Sequence, residues 1–297
     1  MRQTAVADSV SATPFIEAFF DEATNSVSYL IGDRMAGEGA IIDPVLGFDP
    51  VSGAIDHRAA DAMMKAAEKE GLSIRWLLET HAHADHLSAA DYLRSRTGAQ
   101  TAVGEGIRHV QDEFGSKLGA DDIRPDGADF DRLLRDGERL PLGDLEIEVI
   151  ATPGHTPACV SYRVGDAVFV GDTMFMPDYG TARCDFPGGN ARRLYHSVHR
   201  VLSLPRETRL FMCHDYKAPG RDVFAWETTV GEQLDRNVHI GSGVGEDAYV
   251  TMREARDATL KLPKLLYQAI QVNIRGGRLP PPDANGVRYL KLPLTLP

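Results

Sequence analysis

The sequence lacks several features that would define its class at once. It has no run of about 18 apolar residues, the length that a membrane-spanning helix needs, so we expect no membrane segment. Its three cysteines, Cys159, Cys184 and Cys213, are too few and too scattered for a disulfide framework, and we expect them to be reduced. Basic residues are also scarce: 32 Lys and Arg stand against 43 Asp and Glu, a net charge of −11. This balance argues against nucleic acid or an anionic membrane as the main partner. The first residues lack the apolar core of a secretory signal, which predicts a cytoplasmic protein.

The densest group of metal-binding side chains lies in residues 80–87, directly after the apolar run 74–78. The run predicts a buried strand, so the group lies where a strand ends and a helix begins, which is where ligands bind in α/β sheets. Imidazole and carboxylate are ligands of zinc and iron. The sequence therefore predicts a metal site rather than a histidine-rich surface turn. The candidate ligands in this segment are His81, His83, Asp85 and His86.

Hydrophobic periodicity predicts two series of strands, each followed by helices. The predicted strands cover residues 15–20, 26–30, 39–42, 74–78, 101–103, 145–150, 160–164, 167–170 and 210–213. The predicted helices cover 57–69, 87–96, 107–114 and a segment capped by Asn190, and the pattern after Tyr216 is helical to about residue 274. Two such series indicate two sheets packed face to face with helices outside. We expect a flexible segment 1–12, a core over 13–220 and a helical extension over 221–297 that packs on the core and the substrate site.

Three further candidate ligands each follow a predicted strand. His155 comes after 145–150, Asp172 after 167–170 and His214 after 210–213. Taken singly, each has an ordinary explanation, such as a capping aspartate or a packed histidine. Four metal-competent segments in order, all at strand ends, favour a shared metal site.

This order of motifs resembles the metallo-β-lactamase fold superfamily, an αββα sandwich with metal at one edge of the two sheets. In that superfamily a two-metal site would be held by seven of these residues. The resemblance assigns one ion to His81, His83, His155 and bridging Asp172, and the other to Asp85, His86, His214 and the same Asp172.

A finer resemblance is to the persulfide dioxygenase branch, which includes β-lactamase-like hydrolase (Blh-type) proteins and is related to the ethylmalonic encephalopathy protein and to glyoxalase II. It rests on Gly-Thr-Ala-Arg-Cys-Asp-Phe at 180–186, on His-Asp-Tyr at 214–216, and on the segment 262–275. Cys184 departs from the pattern, because many eukaryotic relatives have threonine there. The neighbouring Arg183 and Asp185 match the pattern.

The resemblance to this branch implies a single Fe(II) per chain, held by His81, His155 and Asp172. Two histidines and one carboxylate on one face are typical of non-haem iron enzymes that bind O₂. The implied reaction converts glutathione persulfide, O₂ and water to glutathione and sulfite. The remaining candidate ligands would orient the metal ligands and relay protons; they are His83, Asp85, His86 and His214.

Glutathione carries two carboxylates, so its site needs cations. Arg183 and Arg275 are the candidates, since a guanidinium binds a carboxylate with two hydrogen bonds. Tyr216 is a candidate catalytic residue that would donate its hydroxyl to the substrate or the open side of the metal. Arg275 has a second explanation as a cap of the preceding helix, and Tyr216 as a packed aromatic.

The alternative function is a glyoxalase II-like or other thioester hydrolase with one or two Zn(II) per chain, because all seven two-metal ligands are present. There a metal-bound hydroxide would attack a thioester carbonyl. A non-catalytic metal-binding member is disfavoured because no ligand is missing. A rhodanese-like sulfurtransferase partner and a homodimer are expectations from the resemblance alone.

Overall fold

The structure is a computed structural model that describes residues 13–241 and 243–294. The segment 1–12, predicted to be flexible, lies outside the described residues. The strands, in chain order, are β1 Phe15–Asp21, β2 Ser26–Asp33, β3 Glu38–Ile42, β4 Val45–Phe48, β5 Ile55–Asp56, β6 Ser73–Leu78, β7 Leu87–Ser88, β8 Gln100–Gly104, β9 Arg132–Leu134, β10 Arg139–Leu142, β11 Leu145–Ala151, β12 Val160–Val164, β13 Ala167–Phe169, β14 Arg209–Phe211 and β15 Glu227–Thr229. The helices are α1 Arg58–Lys69, α2 Ala90–Thr97, α3 Ile107–Leu118, α4 Ala191–Leu202, α5 Val230–Arg236, α6 Glu246–Asp257 and α7 Leu266–Asn273.

The first sheet has the order β1-β2-β3-β6-β8-β9. β1, β2 and β3 form an antiparallel meander, whereas β3, β6, β8 and β9 run parallel. Every residue of β2 is buried, as expected for a central strand covered on both faces. The parallel strands end at the same edge of the sheet, and that edge carries the loop that follows Leu78.

The second sheet has the order β10-β11-β12-β13-β14-β15. Its first four strands pair antiparallel in chain order, and β13 then pairs parallel with β14. That parallel pairing needs a crossover, which includes α4. A smaller sheet, β5-β4-β7, lies beside the first.

The main core lies between the two sheets. Tyr29 of β2 packs on Phe169 of β13 and Phe211 of β14, with ring centroids 5.0 and 5.6 Å apart. α1, α2 and α7 cover the outer face of the first sheet, and α4, α5 and α6 cover the second. Helix α4 is fixed at its start by Asn190, whose Oδ1 accepts a hydrogen bond from the Arg193 amide. Across the described ranges, no helix combines the length and the apolar character that crossing a bilayer requires.

The two-sheet sandwich with outer helices confirms the predicted fold class. Each predicted strand is present, with ends that shift by up to three residues. The helix predicted from Leu87 begins later, at Ala90, because Leu87 and Ser88 pair with β4. The segment after residue 221 is not helical throughout, since Glu227–Thr229 forms the last strand of the second sheet. The short strands β4, β5, β9 and β10 were also missed, because two to four residues give too little periodicity.

Candidate metal centre

Four strand ends converge at one edge of the sandwich. The loop after β6 carries the histidine cluster, His155 follows β11, Asp172 follows β13 and His214 follows β14. Asp172 lies in a 3₁₀ turn over Gly171–Thr173, which turns the chain sharply at the end of β13. The predicted candidate ligands therefore come together in space, although their positions span more than a hundred residues.

His81, His155 and Asp172, called the triad below, form one group of candidate ligands at this edge. One ligand atom of each lies within 4.8 Å of the others. Asp172 Oδ2 lies 3.5 Å from Nε2 of His155 and 3.9 Å from Nε2 of His81. All three residues are buried. The three side chains predicted to hold one iron thus face a common point.

Several buried ring nitrogens at this edge have no hydrogen-bond partner and are suited to bind a metal ion. Within the described ranges, Nε2 of His81, His86 and His214 makes no hydrogen bond, although each residue is at most 1% exposed. A buried polar atom without a partner is costly, and a cation would satisfy these nitrogens. Burial is the main cause that lowers the pKa of His81 well below its ordinary value, and the neighbouring His83 adds to the effect. The neutral ring that results is the form that binds metal.

The other nitrogen of each triad histidine is anchored. His81 Nδ1 lies 3.0 Å from Thr80 Oγ1, and His155 Nδ1 lies 2.7 Å from the backbone oxygen of Arg183. A donor at Nδ1 leaves Nε2 as the lone-pair nitrogen that faces the centre. The carbonyl of Arg183 fixes this tautomer for His155.

A second group lies beside the triad. Asp85 Oδ2 is 3.3 Å from His86 Nδ1 and 3.4 Å from His214 Nε2, and Ser26 donates to the same oxygen at 3.2 Å. Burial alone would raise the pKa of Asp85, but His214 and His86 hold it well below its ordinary value. The structure thus also brings together the residues that would hold a second ion.

His83 contacts two carboxylates that the sequence interpretation missed. Its Nε2 lies 3.0 Å from Asp43 Oδ1 and 3.7 Å from Glu79 Oε2. Burial works against a charged ring, yet Asp43 and Glu79 raise the pKa of His83 to about 10. Burial, followed by Asp43, raises the pKa of Glu79 to about 8. An aspartate directly after the buried strand β3 was the available signal for Asp43.

Cys213, which the sequence analysis expected only to be reduced, also belongs to the site. Its Sγ donates to Asp172 Oδ1 at 2.8 Å. Burial, followed by Asp172, raises the pKa of Cys213 well above its ordinary value, so the side chain is a neutral thiol. The signal for this role was its position next to His214 at a strand end.

The residues predicted to contact substrate differ in their placement. Arg183 pairs with both oxygens of Asp185 at 2.6 Å and donates to the Lys261 carbonyl at 2.8 Å, beside the triad. Tyr216 stacks on His214, with centroids 5.5 Å apart and planes 17° apart, and 40% of its surface is exposed. Both residues therefore lie at the centre, and their contact with substrate stays a prediction.

Arg275 is placed differently. It is 4% exposed and donates to both carboxylate oxygens of Asp122, at 2.8 and 2.6 Å. It also donates to the Gln271 carbonyl of α7. These contacts agree with the alternative role, a cap of the preceding helix, and the contact of Arg275 with substrate stays a prediction.

Comparison with known proteins agrees with the geometry. The family model of the Metallo-beta-lactamase superfamily matches residues 22–214. A probable metallo-hydrolase of Burkholderia pseudomallei is 54% identical over 94% of this chain and 98% of its own length. A beta-lactamase hydrolase-like protein of Agrobacterium fabrum is 52% identical over 96% of this chain, but the chain spans only 65% of that relative's length.

More distant relatives carry a different name. The human mitochondrial persulfide dioxygenase ETHE1 is 31% identical over 78% of this chain and 81% of its own length. The crystal structure of ETHE1 from Myxococcus xanthus superposes with a TM-score of 0.71 at 30% identity, and covers 89% of this chain and 100% of that one. The order of the motifs, the two-sheet fold and these matches lead to one conclusion. The chain belongs to the metallo-β-lactamase superfamily.

Proposed function

We propose that this protein is a persulfide dioxygenase that holds one Fe(II) through His81, His155 and Asp172. The observation that carries the proposal is the grouping of these three ligand atoms within 4.8 Å of one another. Two imidazoles and one carboxylate leave positions open for a second reactant, as in non-haem iron oxygenases. The reaction consumes glutathione persulfide, O₂ and water and yields glutathione and sulfite. The similarity to human persulfide dioxygenase supports the same chemistry.

The iron would supply the electron transfer to O₂, and the protein's own side chains set the geometry. Thr80 and the Arg183 carbonyl hold the rings of His81 and His155 by Nδ1. The apolar core behind β13 and β14 keeps water from that side of the centre. Tyr216 stands over His214 with part of its surface exposed, where its hydroxyl can donate to an incoming ligand.

The charge of Arg183 supports a glutathione substrate. Its side chain is 19% exposed and its partner Asp185 is 37% exposed, so the pair lies partly open to solvent beside His155. A substrate carboxylate can compete with Asp185 for the guanidinium in the same two-hydrogen-bond geometry. Arg183 therefore suits one carboxylate of the tripeptide.

A zinc-dependent thioester hydrolase is the second candidate. The observation that favours it is the second group of Asp85, His86 and His214, in which His214 Nε2 lies 3.4 Å from Asp85 Oδ2 and 3.5 Å from Asp172 Oδ1. The more similar relatives from Burkholderia and Agrobacterium also carry hydrolase names. In that case two ions would activate a water molecule for attack on a carbonyl.

The decisive experiment measures O₂ uptake and sulfite release with glutathione persulfide, beside hydrolysis of a glutathione thioester. We expect the first activity with the iron-loaded protein, and its loss in His81→Ala and Asp172→Ala together with bound iron. His109→Ala, an exposed histidine on α3, is the matched control and should keep both iron and activity. Full turnover in either triad variant, or thioester hydrolysis alone in the wild type, would refute the assignment.

Metal content gives an independent check. One iron per chain in the purified protein agrees with the proposal, whereas two zinc ions per chain favour the hydrolase. A rhodanese-like sulfurtransferase as the donor of the persulfide, and a homodimer, are further proposals. Pull-down with a candidate sulfurtransferase and sedimentation analysis would test them.

A further inference from the structure

The two oxygens of Asp172 face different partners. Oδ2 lies 3.5 and 3.9 Å from Nε2 of His155 and His81, on the side of the triad. Oδ1 accepts the thiol proton of Cys213 at 2.8 Å and lies 3.5 Å from Nε2 of His214. The carboxylate is thus divided between the triad and the second group.

The side that Oδ1 faces has the other parts of a cation site. Nε2 of His86 and His214 is buried and makes no hydrogen bond within the described residues. Asp85 Oδ2 lies 3.4 Å from the same His214 nitrogen. A second ion at this place would be held by Asp85, His86, His214 and Oδ1 of Asp172. The thiol of Cys213 donates a hydrogen bond to the same Oδ1.

The thiol is held in this position by the backbone around it. The Cys213 carbonyl accepts a hydrogen bond from the Val27 amide at 2.7 Å, which ties the end of β14 to the first sheet. Cys213 itself is 3% exposed. A buried side chain on a backbone fixed in this way keeps one rotamer.

We propose that Cys213 is a positioning residue that holds Oδ1 of Asp172 by its thiol proton and so restricts the centre to a single metal ion. The inference rests on the proposed function, because it concerns the number of ions in the same site. It explains how a chain with all seven two-metal ligands can still bind one ion. Both His86 and His214 are present; the hydrogen bond from Cys213 instead competes with a second ion for Oδ1 of Asp172.

Removing the donor should make the second site available. A hydrogen bond to a charged group biases an equilibrium by about tenfold or more, so the affinity for a second ion should rise by that factor. Cys213→Ala and Cys213→Val both remove the donor, and valine also fills the space of the thiol. Cys213→Ser keeps a donor on the same backbone. Cys159→Ala is the matched control, since this second buried cysteine contacts Thr156 rather than Asp172.

The experiment is equilibrium dialysis of each metal-free variant against Zn²⁺, with zinc per chain measured by mass spectrometry and folding checked by circular dichroism. We expect one zinc in the wild type, Cys213→Ser and Cys159→Ala, and a rise towards two in Cys213→Ala and Cys213→Val. Two zinc ions in the wild type would overturn the proposal. The proposal would also be overturned if Cys213→Ala and Cys213→Val fold but bind no more zinc than the wild type. A fall in their zinc content would overturn it too, because the thiol would then be a zinc ligand.

This measurement is separate from the test of the reaction. Zinc binding is measured without substrate or O₂, so it holds whether or not the wild type oxidises persulfide. A wild type with one zinc but no oxygen uptake would refute the proposed function and leave the role of Cys213 standing. Oxygen uptake by the wild type, together with unchanged zinc content in the Cys213 variants, would support the proposed function and refute the role of Cys213.

Discussion

The backbone oxygen of Arg183 lies 2.7 Å from Nδ1 of His155, so the segment predicted to bind substrate also orients a ligand of the centre. The contact is made by the main chain, while the side chain of Arg183 pairs with Asp185. Substituting the side chain therefore separates substrate binding from metal binding.

Arg183→Ala should raise KM for glutathione persulfide by about tenfold or more and leave the iron content unchanged, because it removes a charged hydrogen-bonding partner only. Steady-state oxygen uptake and metal analysis would check it. Arg139→Ala is a matched control, since Arg139 also pairs with a carboxylate, Glu146, on the surface. An unchanged KM in Arg183→Ala would remove this residue from the substrate site.

A buried ion pair on α6 holds the same segment from behind. Arg253 pairs with Asp257 at 2.6 Å, and the two side chains are 1% and 5% exposed. Arg253 also donates to the Thr181 carbonyl at 3.0 Å, and Asp257 accepts from the Cys184 amide at 2.7 Å. The pair thus fixes the residues on both sides of Arg183.

Asp257→Ala should destabilise the protein by about 3–5 kcal/mol, because it leaves the Arg253 guanidinium buried without its partner. Urea unfolding of the metal-free protein would measure the free energy. Metal affinity should also fall by about 10–100-fold, since the Arg183 carbonyl loses its support. Asp247→Ala breaks the exposed pair with Arg192 and should cost far less, because water screens the two charges. Equal losses in the two variants would contradict this account.

The ends of the strands could be predicted because each of these strands is a short apolar run in the sequence. The run 74–78 gives β6, and 145–150 gives β11, so the positions of His81 and His155 at one edge followed from pattern and topology. The resemblance then assigned the neighbouring candidate ligands to one predicted metal ion. Local sequence was sufficient to place these residues because the strand before each of them is visible in the neighbouring residues.

The partners of those ligands could not be predicted, because they are set by tertiary packing. Asp43 contacts His83 from the end of a neighbouring strand. Arg275 pairs with Asp122, which lies 153 positions away in the sequence. Cys213 faces Asp172 only because β13 and β14 pair in parallel in this register. The position of Cys213 next to His214 indicates that it lies near the site, but no local feature of the sequence indicates the contact with Asp172.

Gly171→Ala should remove the metal and destabilise the fold. Gly171 has φ of +51°, and a Cβ there would lie 2.6 Å from Thr80 Oγ1, which also contacts His81. Relieving the clash would displace both Thr80 and the adjacent Asp172. Gly98→Ala is the matched control, because Gly98 has φ of +70° with nothing within 4 Å of a Cβ.

Both glycine substitutions carry the cost of the left-handed backbone, about 1–2 kcal/mol each. Only Gly171→Ala should lose bound iron, as measured by metal analysis after reconstitution. If Gly98→Ala loses iron to the same extent, the effect comes from general destabilisation and not from the contact with Thr80.

His239 makes a specific contact with the segment that contains Arg183. Its Nδ1 accepts a hydrogen bond from the Thr181 amide at 2.9 Å. The ring must therefore be neutral at Nδ1 to hold the start of the segment 181–185. Burial, followed by Arg253 and Arg256, lowers the pKa of His239 from 6.5 to about 4.

This pKa predicts how stability depends on pH. Between pH 6.5 and about 4 the unfolded chain binds a proton at His239 that the folded protein does not. The stabilisation is complete above pH 6.5 and is lost as the pH falls towards 4. His239→Asn keeps an acceptor near the Nδ1 position but does not titrate, so its Tm should fall less steeply than that of the wild type over this range. Parallel Tm curves from calorimetry at matched ionic strength would show that His239 does not contribute in this way.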